Sequence, residues 1–265
     1  MILANGDKID FTAFPDGTTS FRFDAGDRMN YNICWMYDGD HECILLWYLT
    51  KHIKSVADKN AQVSLIMPYI PNARMDRVKN KDEVFTLKWF AEFINSLHFD
   101  AVIVCDPHSN VSTALIDRVR VTDVRVYMES IIKDLNGEEE MDVLFCYPDE
   151  GAAKRYSNLC GGDYVFCIKH RDWRTGKIER LELTQPDKVA GRNILIVDDI
   201  CSRGGTFTYT AKALKEAGAK EIFLYVTHCE NTIFSGSVLT DGLITHVFTT
   251  DSIYRGSHPL VTVVG

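Results

Sequence analysis

The sequence predicts an α/β fold built on parallel sheets and divided into two halves of roughly equal size. Three observations carry this. Short, almost uninterrupted apolar runs alternate with longer segments of helical periodicity. Several of those runs pass directly into polar residues. The stretch 121–125 separates the runs into two sets and reads as a link between two sheets. A strand that is apolar at nearly every position needs cover on both faces, which parallel strands joined by helices provide.

Taken in order, residues 63–67 read as a strand ended by Pro68. Residues 84–97 place Val84, Leu87, Phe90, Ala91, Ile94 and Leu97 on one helical face. Trp47, Tyr48, Trp89 and Phe90 also fall in helical apolar patterns and are expected in the core. The runs 101–105, 141–146, 164–168, 194–197 and 222–226 are further strands, and between the last two 206–217 is a helix stopped by Gly218. Residues 136–140 open with Asn-Gly and read as an acidic turn. Residues 170–177 form a polar segment with few anchors. Ligands bind beyond the carboxyl ends of strands in parallel sheets, so 68–77, 106–110, 148–151, 198–205 and 227–230 are the places to look for a site.

Composition narrows the function. A chain of 265 residues, 46% hydrophobic and 25% charged, has the interior and the surface of an ordinary globular enzyme. A formal charge of −8 argues against nucleic acid as the main partner, because phosphate backbones are held by surplus Lys and Arg. The eight cysteines are scattered singly with no Cys-x-x-Cys pair, which argues against a zinc cage and suits a reducing compartment. Met1 to Asp10 lacks a basic cluster followed by an apolar stretch, and no run approaches the ~20 apolar residues a bilayer requires. The expectation is a cytoplasmic protein with neither a signal peptide nor a membrane partner.

The most informative segment is 194–206, Ile-Leu-Ile-Val-Asp-Asp-Ile-Cys-Ser-Arg-Gly-Gly-Thr. A buried strand delivers two adjacent carboxylates, Asp198 and Asp199, and Ser202-Arg-Gly-Gly-Thr206 then opens a helix. Gly204 and Gly205 let backbone approach a ligand closely, and the free N–H groups of a helix start favour an anion. Ser202 and Thr206 add hydroxyl donors, and Arg203 adds a charged fork. The acidic pair suits the vicinal hydroxyls of a sugar, or a hydrated Mg²⁺.

This segment resembles the phosphoribosyl-diphosphate loop shared by type I phosphoribosyltransferases and ribose-phosphate pyrophosphokinases (PRPP synthetases). Further segments resemble the second family, in its order along the chain. Phe14-Pro-Asp-Gly17 is similar to its Phe-x-Asp-Gly-Glu segment, and Pro71-Asn-Ala-Arg-Met-Asp-Arg77 to its Tyr-Ala-Arg-Gln-Asp-Arg segment. The resemblance implies that Phe14, Asp16, Gly17, Arg74, Met75 and Asp76 serve ATP. Asp106-Pro-His-Ser109 and Pro148-Asp-Glu-Gly151 resemble elements whose histidine and aspartate serve a metal, which implies Mg²⁺ near His108 and Asp149. Lys169-His-Arg171 resembles the Lys-x-Arg at the root of a flexible catalytic loop. Thr227-His228, with Phe234-Ser-Gly236 and Thr250-Asp-Ser252, resembles later family landmarks.

The resemblance implies two similar phosphoribosyltransferase-like domains, each with a mainly parallel sheet flanked by helices: an ATP-binding pyrophosphokinase domain over 1–121 and a phosphoribosyl-binding domain over 122–265. It implies a homo-oligomer with active sites at subunit interfaces. The implied reaction moves the β,γ-diphosphate of ATP to the 1-hydroxyl of ribose 5-phosphate, with Lys169 and Arg171 as the catalytic cations and Asp198, Asp199 and residues 202–206 holding the sugar phosphate. Three departures stand out: Thr18 for the family's glutamate, Met75 for its glutamine, and Arg203 for its threonine. Arg203 raises the alternative of a 5′-extended ribose such as ADP-ribose. A phosphoribosyltransferase or a non-catalytic regulatory homologue leaves more of these segments without a role.

Overall fold

The computed structural model describes residues 1–136, 142–160, 163–171 and 178–265, with backbone alone at 136, 160, 170, 171 and 178–180. The chain divides into two compact units, Met1–Asp123 and Val124–Gly265.

The first unit opens with β1 (Ile2–Ala4) and β2 (Asp7–Lys8), followed by a small hairpin of β3 (Thr12–Ala13) and β4 (Thr19–Ser20). β5 (Asn30–Trp35), α1 (Glu42–Val56), β6 (Gln62–Ile66), α2 (Thr86–Ser96), β7 (Ala101–Cys105), α3 (Asn110–Leu115) and β8 (Val119–Thr122) complete it. Six strands form one sheet in the order β2-β1-β5-β6-β7-β8, parallel from β5 to β8. Its core gathers the inward residues of the strands with the buried stripes of the helices, such as Leu46, Leu49 and Ile53 of α1 and Leu87, Ala91 and Ile94 of α2.

The second unit runs α4 (Arg125–Asn136), β9 (Val143–Tyr147), α5 (Glu150–Cys160), β10 (Tyr164–Arg171), β11 (Ile178–Leu183), β12 (Asn193–Cys201), α6 (Gly205–Glu216), β13 (Ile222–Cys229), β14 (His246–Thr249) and β15 (Val261–Val263). Seven strands form a sheet in the order β11-β10-β9-β12-β13-β14-β15, parallel except at the β10–β11 edge. β12 and β13, the most apolar strands, lie near the centre and are buried along almost their whole length. That is the position their composition demands, since a central strand has no face open to water.

Four expectations need correction. Asp198 and Asp199 lie within β12, and Thr227 and His228 within β13, because the parallel pairing continues to Cys201 and Cys229. β10 runs past its expected end at 168 to Arg171, so Lys169 sits on the strand. Trp47, Tyr48 and Trp89 are exposed at 38%, 39% and 54%, and only Phe90 of that group is core. A helical apolar pattern marks faces that are covered without saying by what, and the α1 stripe Ile44, Trp47 and Tyr48 points away from its own sheet's core. The expected turn at 137–140, the start of the strand at 141 and the polar segment 172–177 lie outside the described residues. Among the described residues no helix is long and apolar enough to cross a membrane.

Candidate active site

In the second unit, predicted site residues from three adjacent strands meet. β9 lies between β10 and β12, all parallel, so segments leaving their carboxyl ends emerge side by side. Asp149 follows β9, Lys169 lies near the end of β10, and Asp198 and Asp199 lie near the end of β12. Lys169 Nζ donates to Asp149 Oδ2 at 2.7 Å, and the Ala152 N–H donates to Asp149 Oδ1 at 2.9 Å. Burial alone would raise the Asp149 carboxyl. The lysine hydrogen bond, the Ala152 and Gly151 N–H groups and the lysine charge outweigh it and hold the group below its ordinary value.

The two central aspartates have different surroundings. Asp199 is buried and pairs with Arg155 Nη1 of α5 at 3.1 Å. Asp198 accepts the Asp199 N–H at 2.9 Å. Burial, then the charges of Asp199 and Asp149, push its carboxyl well above the usual range. Arg155 also lies over the Tyr156 ring at 5.5 Å. It was not predicted. Its signal is faint: a cation beside the buried positions Ala152, Ala153 and Tyr156, on a helix that starts at a site-forming strand end.

The loop after β12 is shaped by packing on both sides. Gly204 is the N-cap of α6 in the left-handed region (φ 77°), and a Cβ there would lie 2.1 Å from Val238 Cγ2. No side chain caps this helix, leaving its first-turn N–H groups to face outward. A Cβ at Gly205 would meet nothing within 4 Å, so this stretch of backbone borders open space. Free N–H groups, glycine-bare backbone and the exposed Arg203 together favour an anion. From the next strand end, Glu230 Oε2 accepts the Ser202 hydroxyl at 2.6 Å. No local pattern announces that contact, because the partners are 28 residues apart. Arg171 ends β10, and its side chain lies outside the described residues.

The remaining predicted residues lie in the first unit. Phe14, 56% exposed, and Gly17 (φ 82°) form the tip of the β3–β4 hairpin. Thr18 donates from its N–H (2.9 Å) and its hydroxyl (2.6 Å) to Asp16 Oδ1, so the residue that departs from the family pattern shapes the turn. Past β6, Arg74 is exposed and Asp76 is buried. Arg77 Nε donates to Asp76 at 2.8 Å. This hydrogen bond, working against burial and aided by the charge of Arg77 and the field of His108, holds Asp76 below its ordinary value. The strand ends of β6 and β7 thus bring Asp76, His108 and Ser109 together. A cleft of about 570 Å³ beside the hairpin is lined by Phe21, Arg22, Tyr48 and His52 among others, none of them a predicted ATP residue.

Strand-end acids, a lysine and a glycine-bare helix start thus share one end of the second unit's parallel sheet. A phosphoribosyl transferase domain matches residues 118–232. A ribose-phosphate pyrophosphokinase of Sulfurisphaera tokodaii is 29% identical over 181 residues, 66% of this chain and 60% of that protein. The same-named protein of Pasteurella multocida is 31% identical over 202 residues, 72% of this chain and 61% of that protein. That of Sulfolobus acidocaldarius is 26% identical over 265 residues, 97% of this chain and 88% of that protein. The match thus spans about three-fifths of the first two relatives and most of the third. The crystal structure of phosphoribosylpyrophosphate synthetase from Mycobacterium smegmatis has the same fold, with a TM-score of 0.78 at 20% identity over 97% of this chain and 85% of that one. The chain is thus similar to ribose-phosphate pyrophosphokinases along almost its whole length, and it has a type I phosphoribosyltransferase-like fold.

Proposed function

We propose that the protein transfers the β,γ-diphosphate of ATP to the 1-hydroxyl of ribose 5-phosphate, giving PRPP and AMP. The observation that carries this is the juxtaposition in the second unit. The anion-ready turn at 202–206 continues from the strand that presents Asp198 and Asp199, and Lys169 stands on a strand one removed from it. A phosphate on the helix start and sugar hydroxyls on the carboxylates fix the ribose between them. The 1-hydroxyl oxygen attacks the β-phosphorus, the α–β bridging oxygen leaves with AMP, and the hydroxyl proton passes to solvent. Lys169, with Arg171 proposed beside it, neutralises charge on the moving diphosphate, and phosphoryl transfer depends mainly on such positioning and neutralisation.

The first unit is assigned the nucleotide: Phe14 and Arg74 offer faces for adenine, with Asp16, Gly17, Met75 and Asp76 as neighbouring contacts. His108 of the first unit and Asp149 of the second are each assigned a Mg²⁺ contact. Asp149 suits a hydrated ion, because its carboxylate is held below its ordinary value and its side chain is 39% exposed. When bound, Mg²⁺ would neutralise phosphate oxygens. The exposed α1 stripe supports a homo-oligomer, with the hairpin serving a neighbouring subunit's site. The free thiols of the described cysteines support a cytoplasmic setting. The relatives' names favour ribose 5-phosphate over the 5′-extended ribose suggested by Arg203. Incubation with ATP, Mg²⁺ and ribose 5-phosphate should release AMP, and EDTA should stop it. No AMP with ribose 5-phosphate sinks the proposal.

A further inference from the structure

Ser202 has one hydroxyl proton, and it points to a carboxylate. Its Oγ donates to Glu230 Oε2 at 2.6 Å, and Thr232 Oγ1 donates to the same oxygen at 3.1 Å. A loop suited to a dianionic phosphate therefore already holds a negative charge. That charge is held by its surroundings. The Glu230 N–H donates to the Cys201 carbonyl at 2.8 Å, continuing the β12–β13 register one step past Cys201 and Cys229. Further along the same segment, Gly236 presses so closely on the Arg203 carbonyl that a Cβ would lie 1.8 Å from its oxygen. Ser237 and Asp241 hydrogen-bond Thr208 of α6 at 2.9 and 3.1 Å. Residues 230–241 thus form one wall of the phosphate loop, with Glu230 at its upper edge.

We infer that Glu230 is a specificity-determining positioning residue: it competes with the incoming phosphate for Ser202 and sets the affinity of the loop for dianions. This rests on the reading of 202–206 as the sugar-phosphate cradle. To take a hydrogen bond from Ser202, the phosphate must turn that hydroxyl away from Glu230 and accept a carboxylate as neighbour. Both effects weaken binding. The glutamate thereby selects for ligands whose other contacts, the sugar hydroxyls on Asp198 and Asp199, make good the loss, and it discriminates against free phosphate.

The variant Glu230→Gln keeps an acceptor for Ser202 and removes the charge. Titration calorimetry of the full chain with ribose 5-phosphate and, separately, inorganic phosphate tests it, with Glu230→Ala as a second variant and thermal melts as the check on folding. At about pH 8, where the phosphate is a dianion, both variants should bind both ligands about 3- to 10-fold more tightly than wild type. The gap should narrow near pH 5.5, where the ligand carries about one charge fewer. In turnover, KM for the sugar should fall while KM for ATP stays put, a split that a merely structural brace would not give. Equal or weaker binding by both variants at the higher pH overturns the inference. If wild type binds neither ligand, the cradle reading itself fails and takes the inference with it.

Discussion

Asp198 and Asp199 are neighbours in sequence, yet the fold gives them opposite circumstances. Asp199 has Arg155 at 3.1 Å, whereas Asp198 is raised by burial and by the charges of Asp199 and Asp149. A carboxyl whose folded value lies above its unfolded value supports the fold when protonated. That support is complete below the ordinary 3.8 and is lost as pH rises through the folded value, so at neutral pH Asp198 is a cost. Asp198→Asn should therefore raise the melting temperature, by about 2–5 °C at pH 7.5, while weakening ribose 5-phosphate binding. A lower melting temperature in calorimetry would contradict this account of the pair. Lys169→Ala should cut AMP release by about 10²–10³ with nucleotide affinity largely kept, measured by single-turnover kinetics beside fluorescent-ATP titration. At this scale the sequence disclosed residues that sit in local patterns, as the acidic pair and glycines do. Arg155 and Glu230 were hidden because each acts across a strand or helix boundary, where only the tertiary register makes the neighbour.

Among elements, the turn from β12 into α6 is where steric detail matters most. Its glycines serve different ends. Gly236 is irreplaceable through contact: its backbone is extended (φ −102°, ψ −172°), but any Cβ collides with the Arg203 carbonyl. Gly236→Ala should destabilise the second unit by about 2–4 kcal/mol in urea unfolding, because backbone must move to admit the methyl group. Gly205 faces open space at the first position of α6. Gly205→Ala should leave stability within about 1 kcal/mol of wild type, or raise it, since alanine suits a helix better. It should weaken ribose 5-phosphate binding by at least about tenfold by filling the space the ligand needs. A stable Gly236→Ala, or a Gly205→Ala that binds normally, would mean the loop is built differently. The apolar strands were legible because burial on both faces leaves a run that no surface element shows. Their carboxyl ends were placed too early, since polar residues continue the ladder when a neighbouring strand supplies partners, as Ile200 and His228 do. Short strands such as β1 and β4 were missed because two or three residues carry no period.

For the whole molecule, acid tests the charge arrangement in both units. Asp149 and Asp76 are held below their ordinary 3.8, so their stabilisation is full above that value and is lost as pH falls through the lower folded values. In Lys169→Ala, Asp149 loses the partner at 2.7 Å, so the acid transition followed by circular dichroism should move to higher pH. An unchanged transition would show that the pair adds nothing measurable. The two mainly parallel sheets were readable from the two sets of apolar strand runs. The exposure of Trp47 and Tyr48 was not, since periodicity marks an apolar face without telling whether it turns inward or outward. The most direct test of the central claim, that two phosphates move as one unit onto the sugar, is ³¹P NMR of ATP, Mg²⁺ and ribose 5-phosphate turning over with the enzyme. The account predicts AMP and a pair of mutually coupled phosphorus signals on the sugar's C1, appearing in equal amounts. ADP with a single new phosphate ester, or orthophosphate alone, would contradict it.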